Sequence, residues 1–282
     1  PVGTADDVVR AFARARAAQK AWARVPVSSR REVLHRFHDL VLTHEAQLMD
    51  ILQAETGKSR ASAYEEVIHV AITARYYGNN AEDLLRPRKA HGALPVLSQP
   101  TVHHHPTGVV GVISPWNYPL TLAISDAVAA IAAGNAVVLK PDSTTPFSAL
   151  IAVDLMYRAG LPEDVIQVVP GPGSVVGQAI VANADFLMFT GSSETGRSLA
   201  KQCGERLIDF SAELGGKNPL IVAEDANIAK AVEGARIASF TNSGHLCVSM
   251  ERIYVADAVY DEFVPAFVER VRNMTLGAGY EW

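Results

Sequence analysis

The sequence predicts an α/β fold, a doubly wound parallel sheet followed by the opening of a second, incomplete α/β unit. Three observations predict it. From Val109 onward, short β-branched runs alternate with stretches of helical period. Those runs are apolar nearly throughout rather than at every second residue, which marks strands buried on both faces. Glycine-rich turns, Pro170–Gly177 and Gly191–Gly196, follow two of the runs where a strand feeds a helix.

The first ninety or so residues precede that rhythm and read as helices. Thr4 with Asp7 three residues on resembles a capping box, although Glu or Gln is the usual partner. Val8, Phe12, Ala15 and Trp22 then recur near helical spacing, and Pro26 breaks the pattern. Ser28 or Ser29 restarts one long helix with Val33, Phe37, Leu40, Val41 and Leu48 on its apolar face, and Gly57 punctuates it. A third helix is expected from about Ala61 to Leu85, then an extended, Pro-punctuated segment from about Leu94 to His105. The predicted sheet strands are Val109–Ile113, Ala136–Leu139, Val165–Val169, Phe186–Phe189 and Leu207–Phe210. Helices over Leu120–Ala133, Pro146–Ala159, Ser174–Ala182 and Glu194–Gln202 join them. After Glu213 the alternation loosens into a strand at Leu220–Val222, a helix at Ile228–Phe240 and a strand at Arg252–Val255.

Composition narrows the function classes. A net charge of −5 without a basic run gives no footprint for a phosphate backbone, so nucleic acid is not an expected partner. The apolar run Leu122–Ala133 contains Ser125 and Asp126 and is too short to span a bilayer. Two cysteines, Cys203 and Cys247, make no disulfide framework, and with no visible signal peptide a cytoplasmic location is the default. The chain opens at Pro1 without Met and stops at Glu281-Trp282 after an amphipathic pattern, so it reads as a piece of a longer protein.

The stretch Phe189–Ser198, FTGSSETGRS, resembles a nucleoside-triphosphate loop, but Arg197 stands where that loop needs Lys. On the residues alone, this turn either anchors a phosphate on helix N-terminal amides and the Ser192 hydroxyl or simply joins strand to helix. The consecutive histidines His103–His105 invite a metal reading. On a strand at most two share a side, and no acid or thiol accompanies them, so no metal site is expected.

Other motifs follow in order: Pro115-Trp116-Asn117-Tyr118-Pro119, LKPDSTTPFSAL from Leu139, ELGGKNP from Glu213 and NSGHLCVSMERIYV from Asn242. With ETGK at Glu55–Lys58 and the Gly191–Gly196 turn, this series resembles the aldehyde dehydrogenase superfamily from about Ala5 to Tyr254. PWNYPLTLAISD and KPDSTTP are similar to its succinate-semialdehyde dehydrogenase-like branch. The resemblance implies Cys247 as nucleophile, Asn117 as oxyanion donor and Glu213 as general base. It also implies Trp116, Lys140, Ser143, Gly173, Gly191, Ser192 and Gly196 as contacts of a nicotinamide dinucleotide. Residues 1–87 and 107–213 would form the cofactor domain, 88–106 the oligomerisation strands of a homodimer or homotetramer, and 214–282 the start of the catalytic domain.

The sequence departs from the family pattern at three positions. Ser143 stands where many members carry Glu, which removes a charge that would repel a 2′-phosphate by on the order of a few kcal/mol. NADP⁺ is therefore the expected cofactor, with NAD⁺ an alternative. Asp126 replaces a Lys, and His245 replaces the Gln two residues before the nucleophile. Two other functions fit the same residues: a non-catalytic dinucleotide-binding module, and a thiol esterase that needs no cofactor.

Overall fold

The structure, a computed structural model, describes residues 2–94, 98–277 and 279–280. Pro1 and Glu281-Trp282, on which the reading of a longer protein leans, lie outside the described residues, as do residues 95–97 of the extended segment. Four helices come first: α1 (Ala5–Trp22), α2 (Val27–Thr43), α3 (Glu45–Thr56) and α4 (Arg60–Leu85). The capping box at the start of α1 is present. Thr4 N–H donates to the Asp7 carboxylate at 2.9 Å and Asp7 N–H to Thr4 Oγ1 at 3.2 Å.

The single long helix expected after Pro26 is two helices. His44, at φ −105° and ψ 18°, caps the end of α2 and the start of α3. Its ring Nδ1 lies 2.8 Å from Leu40 O, and Thr43 Oγ1 donates to Asp39 O at 2.8 Å. Side chains thus engage carbonyls of the last turn of α2, and the break carries no Gly or Pro to betray it. Gly57, left-handed at φ 69°, ends α3.

Among the described residues of 88–106, β1 (Arg88–Lys89) and β2 (Thr101–Val102) pair as a short antiparallel ladder. Then come β3 (Val109–Ile113), α5 (Pro119–Ala132), β4 (Ala136–Lys140), α6 (Pro146–Arg158), β5 (Ile166–Val168), α7 (Gln178–Asn183), β6 (Phe186–Gly191), α8 (Ser193–Arg206) and β7 (Asp209–Leu214). The five strands β3 to β7 form one parallel sheet in the order β5–β4–β3–β6–β7. The last one starts two residues later than expected because Leu207 is the left-handed cap of α8, at φ 55°.

Strand alternation divides the core. Val110, Val112, Val137 and Leu139 face one side, against α2 to α6, with Phe37, Leu48, Leu52 and Ile124 buried among them. Val109, Ile113, Val138, Leu187 and Phe189 face the other, against Phe12 of α1, Ile180 of α7 and Leu199 of α8. The sheet is covered on both faces, which is why its strands lack polar alternation.

Beyond the sheet, β8 (Asn218–Val222), α9 (Ile228–Phe240), β9 (Met250–Val255) and α10 (Asp257–Arg272) gather around their own small core of Val222, Val232, Ala235 and Phe263. β8 and β9 pair in parallel. No helix among the described residues is long and apolar enough to cross a membrane.

Candidate active site

The sheet winds outward from β3 to β5, then returns to lay β6 against the free edge of β3. The crevice beyond the carboxyl ends of β3 and β6 is the point where ligands bind in such sheets. A cleft of about 250 Å³ opens there, lined by Trp116 and Asn117 after β3, Thr190 to Ser192 at the end of β6 and Glu213 to Gly215 at the end of β7. His245 and Cys247, from the turn between α9 and β9, close it. Cys247, Glu213 and Asn117, distant in sequence, therefore share one cleft with Trp116, Gly191 and Ser192. Cys247 is exposed, whereas Cys203 is on the buried face of α8, where burial pushes its thiol pKa up.

Hydrogen bonds hold the cysteine turn to the loop after β3. Asn117 Nδ2 donates to His245 O at 2.9 Å, and buried Asn242 donates back to Asn117 O at 3.0 Å. The Trp116 and His245 rings meet edge to face, 4.9 Å between centroids. From the other side, Asn218 of β8 donates to Cys247 O at 2.8 Å and Ser249 O at 3.1 Å. Asn242 and Ser243 are left-handed, at φ 52° and 58°, conformations that cost non-glycine residues and persist where the surroundings over-determine them.

A second cleft, of about 380 Å³, lies between the turn that starts at Gly173 and the first turn of α8, lined by Gly173, Ser174, Glu194, Thr195 and Ser198 among others. Helix N-termini are the natural phosphate sites of this architecture, but two of them are filled. Neither α5 nor α6 has a side-chain cap of its own. The Glu66 carboxylate accepts from Leu120 N–H and Thr121 N–H at 3.0 Å each, and Glu55 accepts from Phe147 N–H and Ser148 N–H at 2.5 and 2.9 Å. The start of α8 is capped only by its neighbour Ser192, which accepts from Thr195 N–H at 3.2 Å, and it faces open space. This is the N-terminus whose chemistry fits a dinucleotide's phosphates.

Other residues singled out in the sequence lie apart from these clefts. Lys140, at the end of β4, turns its ammonium onto Pro141 O at 2.9 Å, and burial lowers its pKa, partly offset by Asp142. Ser143 donates to Gly171 O at 2.9 Å, joining the loops after β4 and β5. Neither lines the two clefts. Gly196 is buried inside α8, where an added Cβ would lie 2.7 Å from a Leu214 methyl, so its lack of a side chain sets helix-to-strand packing. His103 and His105 stack at 6.3 Å, and among the described residues no cluster of three or more potential ligands is placed to hold a metal.

Sequence reasoning missed the residues behind the site. Lys58 and Glu66 form a buried ion pair, and Lys58 Nζ donates to Asn117 O at 2.9 Å. Glu66 sits on the buried stripe of α4 with Ala63, Val67, Val70 and Ala74. An acid on an apolar helical stripe was the available signal, because acids are almost never fully buried without a partner. Asp126, on α5, has its carboxyl pushed up to about 6 by burial and then by the charge of Glu213.

The fold is thus a doubly wound α/β sheet with a thiol, a carboxylate and a side-chain amide gathered at its switch point, beside an open helix N-terminus. The profile of the aldehyde dehydrogenase family matches residues 1–282, and the chain belongs to that family. It is 57% identical over 282 residues to a Mycolicibacterium smegmatis protein named putative succinate-semialdehyde dehydrogenase (NADP+), covering all of this chain and 54% of that protein. A crystal structure described as an E. coli NADP-dependent enzyme superposes with a TM-score of 0.95 at 35% identity, over 98% of this chain and 58% of that one. An aldehyde dehydrogenase from Brucella melitensis gives 0.96 at 31% identity, over 100% and 58%. The chain thus spans about half the length of the curated relative it matches.

Proposed function

We propose that this chain carries the cofactor clefts and the nucleophile of an NADP⁺-dependent aldehyde dehydrogenase that oxidises an aldehyde to a carboxylic acid. The observation that carries the reading is the convergence of Cys247, Asn117 and Glu213 on one cleft. As a thiolate, Cys247 attacks the aldehyde carbon, and the Asn117 amide with the Cys247 backbone N–H holds the oxyanion of the thiohemiacetal. When bound, the nicotinamide accepts the hydride that leaves this carbon. Glu213 then takes a proton from the water that hydrolyses the Cys247 thioester, which frees the acid and the thiol.

The open start of α8 and the Gly173 turn suit the diphosphate, with Gly191, Ser192 and Trp116 beside it, while Lys140, Ser143 and Gly196 belong to the same reading from further out. For Lys140 to reach a ribose, its ammonium must leave Pro141 O. Serine at 143 tolerates a 2′-phosphate, in keeping with the NADP in the names of the relative and of the E. coli structure. Succinate semialdehyde is the proposed substrate on the strength of the relative's name. Residues 1–87 with 107–213 form the proposed cofactor unit, 88–106 serve pairing into a homodimer or homotetramer, and 214–282 open the catalytic unit. The separate core around Phe263 supports that last boundary. A cytoplasmic location suits a nucleophile that must stay a reduced thiol.

The test is reduced-nicotinamide absorbance against a panel of aldehydes, with Cys247→Ala as the control. Full activity in that variant sinks the assignment. Ester turnover indifferent to NADP⁺, or cofactor binding without aldehyde oxidation, replaces it with one of the other two readings.

A further inference from the structure

We propose that Lys58 and Glu66 are positioning residues that set the Asn117 amide for its oxyanion, an inference that rests on the role given to Asn117 above. Both side chains are shut away from solvent, at 2% and 0% exposure. A buried ion pair in a helical layer adds little to stability compared with apolar residues of the same size. What this pair touches is the loop that carries Asn117. Lys58 Nζ, paired with the Glu66 carboxylate, donates to Asn117 O at 2.9 Å and lies 4.5 Å above the centre of the Tyr118 ring. The other Glu66 oxygen receives the first amides of α5, Leu120 N–H and Thr121 N–H, at 3.0 Å each.

The pair therefore grips the loop at two points, the peptide carbonyl of Asn117 and the helix that begins two residues later. Asn117 O also receives Asn242 Nδ2 at 3.0 Å, so the peptide is held from the helical layer and from the cysteine turn together. With both sides fixed, the Asn117 side chain has a single direction, toward the turn that bears Cys247. An oxyanion donor acts through being aimed before charge develops, so loss of the grip falls on the transition state more than on the ground state.

Lys58→Met and the double variant Lys58→Met/Glu66→Gln test this in the full-length protein. The double variant removes both charges, and the Gln carbonyl still accepts the α5 amides, so it covers the case in which the single variant fails to fold. Three readouts separate the roles: kcat and KM for aldehyde oxidation, NADP⁺ affinity by fluorescence titration, and the rate of Cys247 alkylation by iodoacetamide, which forms no oxyanion. The expected result is a kcat lower by about tenfold or more, with aldehyde KM, NADP⁺ affinity and alkylation rate each within about threefold of the parent. A kcat within about twofold of the parent in either folded variant overturns the proposal. So does a parallel fall in all three readouts, which shows a purely structural pair. If the unsubstituted protein never reduces NADP⁺ with any aldehyde, the reading of Asn117 fails first, before any variant is made.

Discussion

Replacing Asp126 with Asn should stabilise the protein above neutral pH and leave it unchanged in acid. Asp126 packs on α5, and its carboxyl is pushed from 3.8 up to about 6 by burial and then by the charge of Glu213. In the unfolded chain neither influence remains, and the pKa returns to about 3.9. Between those two values the folded state binds more protons than the unfolded state, so stability falls as pH rises through the window. The folded and unfolded values differ by about two pH units. At about 1.36 kcal/mol for each, Asp126 costs the native state roughly 3 kcal/mol at pH 8 and nearly nothing at pH 4. Asn keeps the shape and never ionises. Urea melts of parent and Asp126→Asn at intervals from pH 4 to pH 8 should show a gap that opens between about pH 4 and 6 and then levels at up to about 3 kcal/mol. A gap that is constant across the range, or a variant less stable at pH 8, refutes both the burial argument and the proximity of the two carboxylates.

Three further predictions concern the site itself. Asn117→Ala should lower kcat by about 10²- to 10³-fold, as loss of an oxyanion donor does, and steady-state kinetics with unchanged NADP⁺ binding is the check. Iodoacetamide followed by peptide mass mapping should label exposed Cys247 well before Cys203, whose thiol is buried and harder to ionise; equal labelling contradicts the geometry. On the cofactor contact proposed for Ser143, Ser143→Glu should move the ratio of NADP⁺ to NAD⁺ efficiency toward NAD⁺ by about tenfold or more, since a carboxylate beside a 2′-phosphate costs on the order of a few kcal/mol. Initial rates with each dinucleotide measure it.

Patterning made the sheet legible before any coordinates. Buried parallel strands must be apolar on both sides, and the runs at Val109–Ile113, Ala136–Leu139 and Phe186–Phe189 obey that requirement within a residue or two of their observed bounds. The capping box at Thr4 and the turn at Gly57 were equally legible, because each is a local demand met by a particular residue. The break at His44 was not, since it is made by side-chain bonds to carbonyls that leave no mark in hydrophobic period. Lys140 and Ser143 were visible as residues, but their engagement with Pro141 O and Gly171 O was not.

What the sequence by itself determined is the set of chemical groups and the local elements that carry them: Cys247 after a glycine-bearing turn, Asn117 after one strand, Glu213 just past another. The elements follow from short-range rules of chain conformation, and the choice of these three groups from the resemblance to the family. Only the tertiary structure decided that these three share a cleft and that the start of α8 stays open while Glu66 and Glu55 occupy the starts of α5 and α6. It alone joined Lys58 to the Asn117 carbonyl across fifty-nine positions of chain. Such contacts are set by strand order and helix packing, which bring together groups whose separation along the chain carries no trace of their nearness in space.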